Sequence, residues 1–309
     1  MRRITFHWGR TVPAICLVVM VAGCLLIYGA SLWVSRSTAE ASVVPTPDFI
    51  AAAMRNQALA SIDIKCSPVV GVNKSHYIRT SDALSLTNTS TDNSDVHKAS
   101  YDFASRETRT LVRKSDGSNS GTTKTPWLGD PFATLSCHDP VLFVLLWGTE
   151  GPRPLHEWIP SGQVLSEKED VDGHLCWRVD INQPVEGMTR YSIWADPEIG
   201  FSPRRIMMTG IDTSKGPTIV TYRDYKELSP GVWFPMKQVN EYSTISFPEE
   251  ITLGGRALAP TGTVERKTTT YVVSEATAGK TFSKDEMLVH FPSGTKLLVN
   301  ASTQPVTVP

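Results

Sequence analysis

Apolar residues fall along this chain in two patterns, and each predicts a different kind of element. Near the N-terminus they form an unbroken run: Thr11 to Val34 carry no charge, with Arg2, Arg3 and Arg10 before them and Arg36 behind. A helix needs roughly 20 such residues to cross a bilayer, so the run predicts one transmembrane helix over residues 11–34. The arginine bias toward its N-terminal side predicts residues 1–10 in the cytoplasm and the remainder of the chain beyond the membrane.

After Glu150 the pattern becomes alternation. Leu175, Trp177, Val179 and Ile181 interleave with Cys176, Arg178 and Asp180; Tyr191, Ile193 and Ala195 do the same, as do Ile206 and Met208. Similar stretches run over 219–225, 232–239 and 264–273. Turn residues separate them at Asp172-Gly173, Pro184 to Gly187, Asp196 to Gly200, Asp212 to Gly216 and Ser229-Pro230-Gly231. Such short spacing leaves no room for crossover helices, so the strands predict an antiparallel meander with one buried face. That face needs a cover.

Between run and meander, residues 35–46 mix Ser, Thr, Ala and Pro and read as a linker. Thr46 as N-cap, Pro47 at the first helical position and Asp48 at the positive end of the dipole predict a helix over 47–59. Strand-like runs follow at 62–72 and 98–114, with 81–95 expected as a loop and 115–125 as a turn or connection. Asp130-Pro131 and Asp139-Pro140 resemble helix starts, and the second opens onto Val141, Leu142, Phe143, Val144, Leu145, Leu146 and Trp147. This segment is too short to cross a membrane and reads as a buried helix or a central strand; its start signals favour the helix, a second candidate cover for the sheet.

Charge and cysteine content narrow the function classes. Thirty Lys and Arg against 31 Asp and Glu leave a net charge of −1, with no basic field to attract a phosphate backbone, so nucleic acid is not an expected partner. Cys16 and Cys24 lie in the apolar run, leaving Cys66, Cys137 and Cys176 in the folded part, as isolated thiols or with one bridge among them. Val21-Ala22-Gly23-Cys24 has the form of a lipobox, but Leu25 to Val34 stay apolar where a mature lipoprotein turns polar. Ala39-Glu40-Ala41 has the form of a small-residue cleavage site, but the apolar run before it is longer than a signal peptide's. An uncleaved anchor is the leading reading, and all three place the domain outside the cytoplasm.

The sequence holds no phosphate-binding glycine loop, no His-Glu-x-x-His and no CxxC pair, and Asn119 stands where Gly117 to Gly121 would need the serine of a nucleophile elbow. Cys137-His138-Asp139 has the ingredients of a triad in the wrong arrangement, since neighbouring side chains point apart. No catalytic, cofactor or metal residue is assigned, and no enzyme activity is expected. Arg204-Arg205 beside Pro203 reads as a solvated strand end. Trp177, Trp194 and Trp233, with Tyr191, Tyr222, Tyr225 and Phe234, either pack the sheet or line an apolar pocket.

Several ordered motifs resemble the lipoprotein-localisation superfamily of LolA-like and LolB-like carriers and outer-membrane lipoprotein-sorting proteins. They are Asp172-Gly173-His174 with Cys176-Trp177-Arg178-Val179; Tyr191-Ser192-Ile193-Trp194-Ala195-Asp196-Pro197-Glu198 through Pro203-Arg204-Arg205-Ile206; Tyr222-Arg223-Asp224-Tyr225 with Pro230-Gly231-Val232-Trp233-Phe234-Pro235; and Phe291-Pro292-Ser293-Gly294-Thr295. The resemblance implies a mainly β fold with a few helices, in which a curved antiparallel sheet forms a half-open β-barrel able to take acyl chains, with helices on its concave side. The N-terminal transmembrane helix is added to this, and tethering departs from a freely shuttling carrier.

The domain plan expected is therefore residues 1–10 cytoplasmic, 11–34 signal anchor, 35–46 linker, 47–300 β domain and 301–309 tail. The expected role is a single-pass inner-membrane protein facing the periplasm, holding a lipid, acyl chain or lipoprotein in a pocket of Leu142, Phe143, Leu146, Trp177, Tyr191, Trp194 and Trp233. A structural or regulatory envelope domain without ligand is the alternative, and an extracytoplasmic hydrolase the third reading.

Overall fold

The computed structural model describes residues 43–69, 73–90, 92, 94–124, 139–141, 154–182, 188–210, 216–246, 252–253, 256–257, 263–300, 302 and 304–309. The expected anchor, most of the linker, and Leu142, Phe143 and Leu146 lie outside these. No helix among the described residues is long and apolar enough to cross a membrane.

The fold is mainly β. Six strands come first: β1 (Ile62–Pro68), β2 (Asn73–Arg79), β3 (Ala83–Ser90), β4 (Val96–Asp102), β5 (Glu107–Arg113) and β6 (Asn119–Lys124). The meander follows with β7 (Gln163–Val171), β8 (His174–Ile181), β9 (Met188–Asp196), β10 (Ser202–Gly210), β11 (Thr218–Ser229) and β12 (Val232–Ser246). Then come a small separate pair, β13 (Thr252–Leu253) and β14 (Arg256–Ala257), the long β15 (Thr263–Ala278), and β16 (Lys296–Val299) with β17 (Val306–Thr307). Fifteen strands make one open sheet in the order β17-β16-β6-β5-β4-β3-β2-β1-β15-β12-β11-β10-β9-β8-β7. The two sequence blocks meet where β1 runs antiparallel to β15, from Ile62 opposite Ala278 to Pro68 opposite Tyr271. Only β16 beside β6 is parallel among the described pairings.

The expected meander is present strand for strand between β8 and β12. The N-terminal half differs from expectation. Residues 81–95 are not a loop, because Ala83–Ser90 forms β3 between β2 and β4. Its Leu84 and Leu86 point into the core while Ser85 and Thr87 face the other way, a period-two pattern that abundant Ser, Thr and Asn obscured. The run 98–114 is likewise two strands, folded back at a turn over 103–106 where Arg106 adopts φ 54°. Residues 119–124 complete the block as β6, and β17 falls within the expected tail.

Helix α1 (Pro47–Leu59) begins as its cap residues predict: Thr46 Oγ1 accepts the Phe49 N–H at 3.2 Å, with Pro47 in the first turn. It lies on one face of β8–β11. The two larger parts of the described core lie under α1 and between β1–β4 and Phe234 of β12 with Val273 of β15. A one-turn helix, α2 (Lys284–Met287), is closed by a capping box between Ser283 and Glu286. Beyond it Val289 N–H donates to Ser100 Oγ at 2.9 Å, so the C-terminal segment straps the opposite face of β3–β4.

Candidate functional site

Ile50, Ala51, Met54 and Ala58 recur at helical spacing, and this is the stripe of α1 that is buried. Ile50 and Met54 are wholly buried among Trp177, Val179, Ile193 and Ile206. Short 3-10 turns at Leu155–Glu157 and Ile159–Ser161 extend the cover, with Leu155 and Ile159 in the same cluster. Removing a side chain such as Met54 to Cβ costs about 2–5 kcal/mol by lost transfer energy and cavity formation.

Two buried polar groups fasten this cover. Gln57, 2% exposed, donates from Nε2 to the carbonyls of Ile199 (3.1 Å) and Gly200 (2.9 Å). Its Oε1 accepts from Ser202 Oγ at 2.8 Å and from the Trp233 N–H at 3.3 Å. Gly200 sits at φ 64°, and a Cβ there would meet Gln57 Nε2 at 2.8 Å, so glycine is required for the close approach. Arg79 of β2 caps the C-terminal end of α1, donating from Nη2 to the Gln57 carbonyl at 2.7 Å and from Nε to that of Ala60 at 3.3 Å. Its Nη1 meets Asp139 Oδ2 at 2.5 Å, and both side chains are 2% exposed. Asp139 also accepts from Tyr77 OH (3.2 Å) and the Val141 N–H (3.1 Å). The helix expected to follow Asp139 lies outside the described residues beyond Val141, and within them Asp139 pairs with Arg79.

The expected pocket residues separate onto two faces. Trp177 and Tyr191, each 3% exposed, lie in the cluster under α1, where burial pushes the Tyr191 hydroxyl up to about 12. Trp194 lies on the other face with Val171 and Cys176. There its Nε1–H donates to Glu169 Oε2 at 2.6 Å, and the Arg178 and Arg205 guanidiniums lie 5.2 and 5.7 Å from the ring centroid. Trp233 is half-buried and reaches the α1 side through its backbone contact with Gln57.

Arg204 corrects the reading of a solvated strand end. It is buried, donates from Nε to Asp196 Oδ2 at 2.8 Å and lies 4.9 Å from the Tyr225 ring centroid. A bulge between Pro203 and Arg205 turns it inward, which the sequence does not announce. Asp180 of β8 accepts from Ser192, Arg178 and Arg190; burial alone would raise its carboxyl, and these donors hold it below the ordinary range. Cys66 and Cys176 are free and buried, and burial pushes the Cys176 thiol up to about 12, away from nucleophilic reactivity.

Two cavities are lined largely by polar groups. One, about 380 Å³, lies between β2–β4 and the C-terminal strap, with His76, Lys98 and His290 in its wall. The other, about 400 Å³, is bounded by Asp172, His174, Arg204, Tyr222, Arg223 and Asp224. Sequence reasoning missed Gln57, Arg79 and Asp196, because their partners are distant along the chain or set by the bulge.

No protein-family model matches the sequence, and no curated protein matches it. Solved structures are similar to it in fold. PNGF-II is 8% identical over 78% of this chain and 31% of that one, with a TM-score of 0.28. The MucA/MucB complex of Pseudomonas aeruginosa contains a chain 12% identical over 72% of this chain and 93% of that one, with a TM-score of 0.20. An outer membrane lipoprotein-sorting protein domain from Vibrio parahaemolyticus is 10% identical over 77% of this chain and 94% of that one, with a TM-score of 0.37.

Proposed function

We propose that this chain is a membrane-anchored extracytoplasmic binding or accessory protein that holds a lipid, acyl chain or lipoprotein against the apolar face of β8–β11. Residues 11–34 tether it as a single-pass span of the inner membrane, with residues 1–10 in the cytoplasm and the sheet in the periplasm. One observation carries the reading: among the described residues, a broad apolar sheet face is covered by a 13-residue helix and short 3-10 turns rather than by a second sheet. Displacing α1 uncovers Trp177 and Tyr191, with Trp233 at the margin; Trp194, on the other face, packs against the sheet. Leu142, Phe143 and Leu146 follow Val141, which is buried and whose carbonyl accepts the Leu155 N–H at 2.9 Å, at the border of the same cluster. Each methylene buried there contributes about 0.8 kcal/mol, so an acyl chain supplies enough to offset undocking a short helix.

A structural or regulatory domain without ligand is favoured by a different observation, that Ile50, Met54 and Ile159 leave the cluster filled by the chain's own side chains. Photo-cross-linking the full chain in native membranes with a diazirine-bearing fatty acid, followed by peptide mapping, separates the two. Label on the peptides carrying Trp177, Tyr191 or Trp233 supports binding. Label confined to residues 11–34 removes the binding reading in favour of the second.

A further inference from the structure

His174 opens β8 just after the Asp172-Gly173 turn, while Asp196 and Glu198 flank Pro197 in the corner between β9 and β10. Trp177 pairs with Ala195, so the start of β8 runs beside the end of β9. His174 Nδ1 stands 3.8 Å from Asp196 Oδ2 and 4.0 Å from Glu198 Oε2, and the three donor atoms lie within 4.8 Å of one another. A tetrahedral zinc ion at about 2.1 Å from each ligand sets donors about 3.4 Å apart, so these two pairs need to close by about half an ångström. Glu198, 80% exposed at its side chain, is free to do so.

Asp196 is already oriented. Its Oδ1 accepts the Glu198 N–H and its Oδ2 accepts Arg204 Nε, both at 2.8 Å, and Arg204 is itself held over Tyr225. A buried donor behind a carboxylate is how metal centres fix their ligands. Arg204 Nη2 also stands 3.4 Å from His174 Nδ1, a long contact that an ion on that nitrogen would replace. With a neutral imidazole the two carboxylates and Arg204 sum to −1, which favours a divalent cation. The cavity of about 400 Å³ that shares His174 and Arg204 supplies an entry path and space for a water ligand.

We propose that His174, Asp196 and Glu198 form a divalent transition-metal site, suited by one imidazole and two carboxylates to Zn²⁺, with Arg204 as its positioning residue. The ion ties the β7–β8 turn to the β9–β10 corner. That corner presents the Ile199 and Gly200 carbonyls to Gln57, so occupancy stiffens the platform on which α1 docks. The competing arrangement is a His174 imidazolium paired with the same carboxylates and no metal.

The test uses the full chain in detergent, stripped with a chelator and titrated with Zn²⁺ against a chelating dye, with Co²⁺ as a spectroscopic substitute. The expected result is one Zn²⁺ per chain and a rise in the unfolding midpoint on saturation. His174→Gln and Glu198→Gln each weaken binding by about tenfold or more and lose the Co²⁺ visible bands, with the metal-free unfolding midpoint unchanged. Glu198→Gln alters an exposed side chain, so it decides the matter alone if His174→Gln fails to fold. No uptake by the wild type with metal in excess, or variants that bind as the wild type does, overturns the proposal.

Discussion

Replacing Gln57 by leucine removes a side chain of similar size and leaves four partners behind. The Ser202 hydroxyl, 0% exposed, loses its acceptor, and the Ile199 carbonyl loses a buried donor. The Gly200 carbonyl and the Trp233 N–H, in part-buried contacts at 2.9 and 3.3 Å, lose less. An orphaned buried polar group costs about 1–3 kcal/mol, so the two fully buried partners set a destabilisation of about 3 kcal/mol, with the others adding a fraction. A chain of this size unfolds in urea with a slope of about 3 kcal/mol per molar, so the midpoint falls by about 1 M. Tryptophan fluorescence reads the transition, since Trp177 and Trp233 report on the face that Gln57 seals. A shift below about 0.2 M, or a stabilised variant, refutes the claim that this amide fastens α1 to the sheet.

Arg79→Leu and Asp139→Leu each leave an uncompensated charge in the interior and lower stability by about 3–5 kcal/mol, while the double variant loses much less than the sum; a double-mutant cycle in urea checks this. Burial of His156, with Glu157 opposing it and Arg55 assisting, lowers its pKa below 6.5, so the neutral ring contributes stability that is full above pH 6.5 and declines as pH falls through the folded value. Thermal midpoints measured down to pH 5 drop for the wild type and less for His156→Gln, whereas the lowered Asp63, Asp102, Glu107 and Asp180 act below about pH 5. Cys176 stays unlabelled by a thiol reagent at pH 8 in the folded chain and reacts once urea unfolds it.

What the sequence made legible was local. Alternation exposed β8 to β12, because Trp177, Val179 and Ile181 recur with period two between turn residues. The Thr46-Pro47-Asp48 start exposed α1. The strand β3 escaped because Thr and Asn occupy positions where a pattern of apolar residues is sought, although Thr suits a pleated surface well. The seam of β1 on β15 joins residues that no local rule connects. Trp177 and Trp194 look alike in sequence as pocket candidates, and only the odd and even numbering within their paired strands puts them on opposite faces. Arg204 turned inward through a bulge, and one extra residue in a strand leaves no periodic trace.

The account turns on α1 being the removable cover of the β8–β11 face. Hydrogen exchange on the full chain, with and without a long-chain fatty acid, measures this directly. The account predicts that ligand raises exchange across Phe49 to Leu59 while the amides of β8 to β10 stay protected. Unchanged exchange in that helix under saturating ligand, or loss of protection spread across the strands, contradicts it.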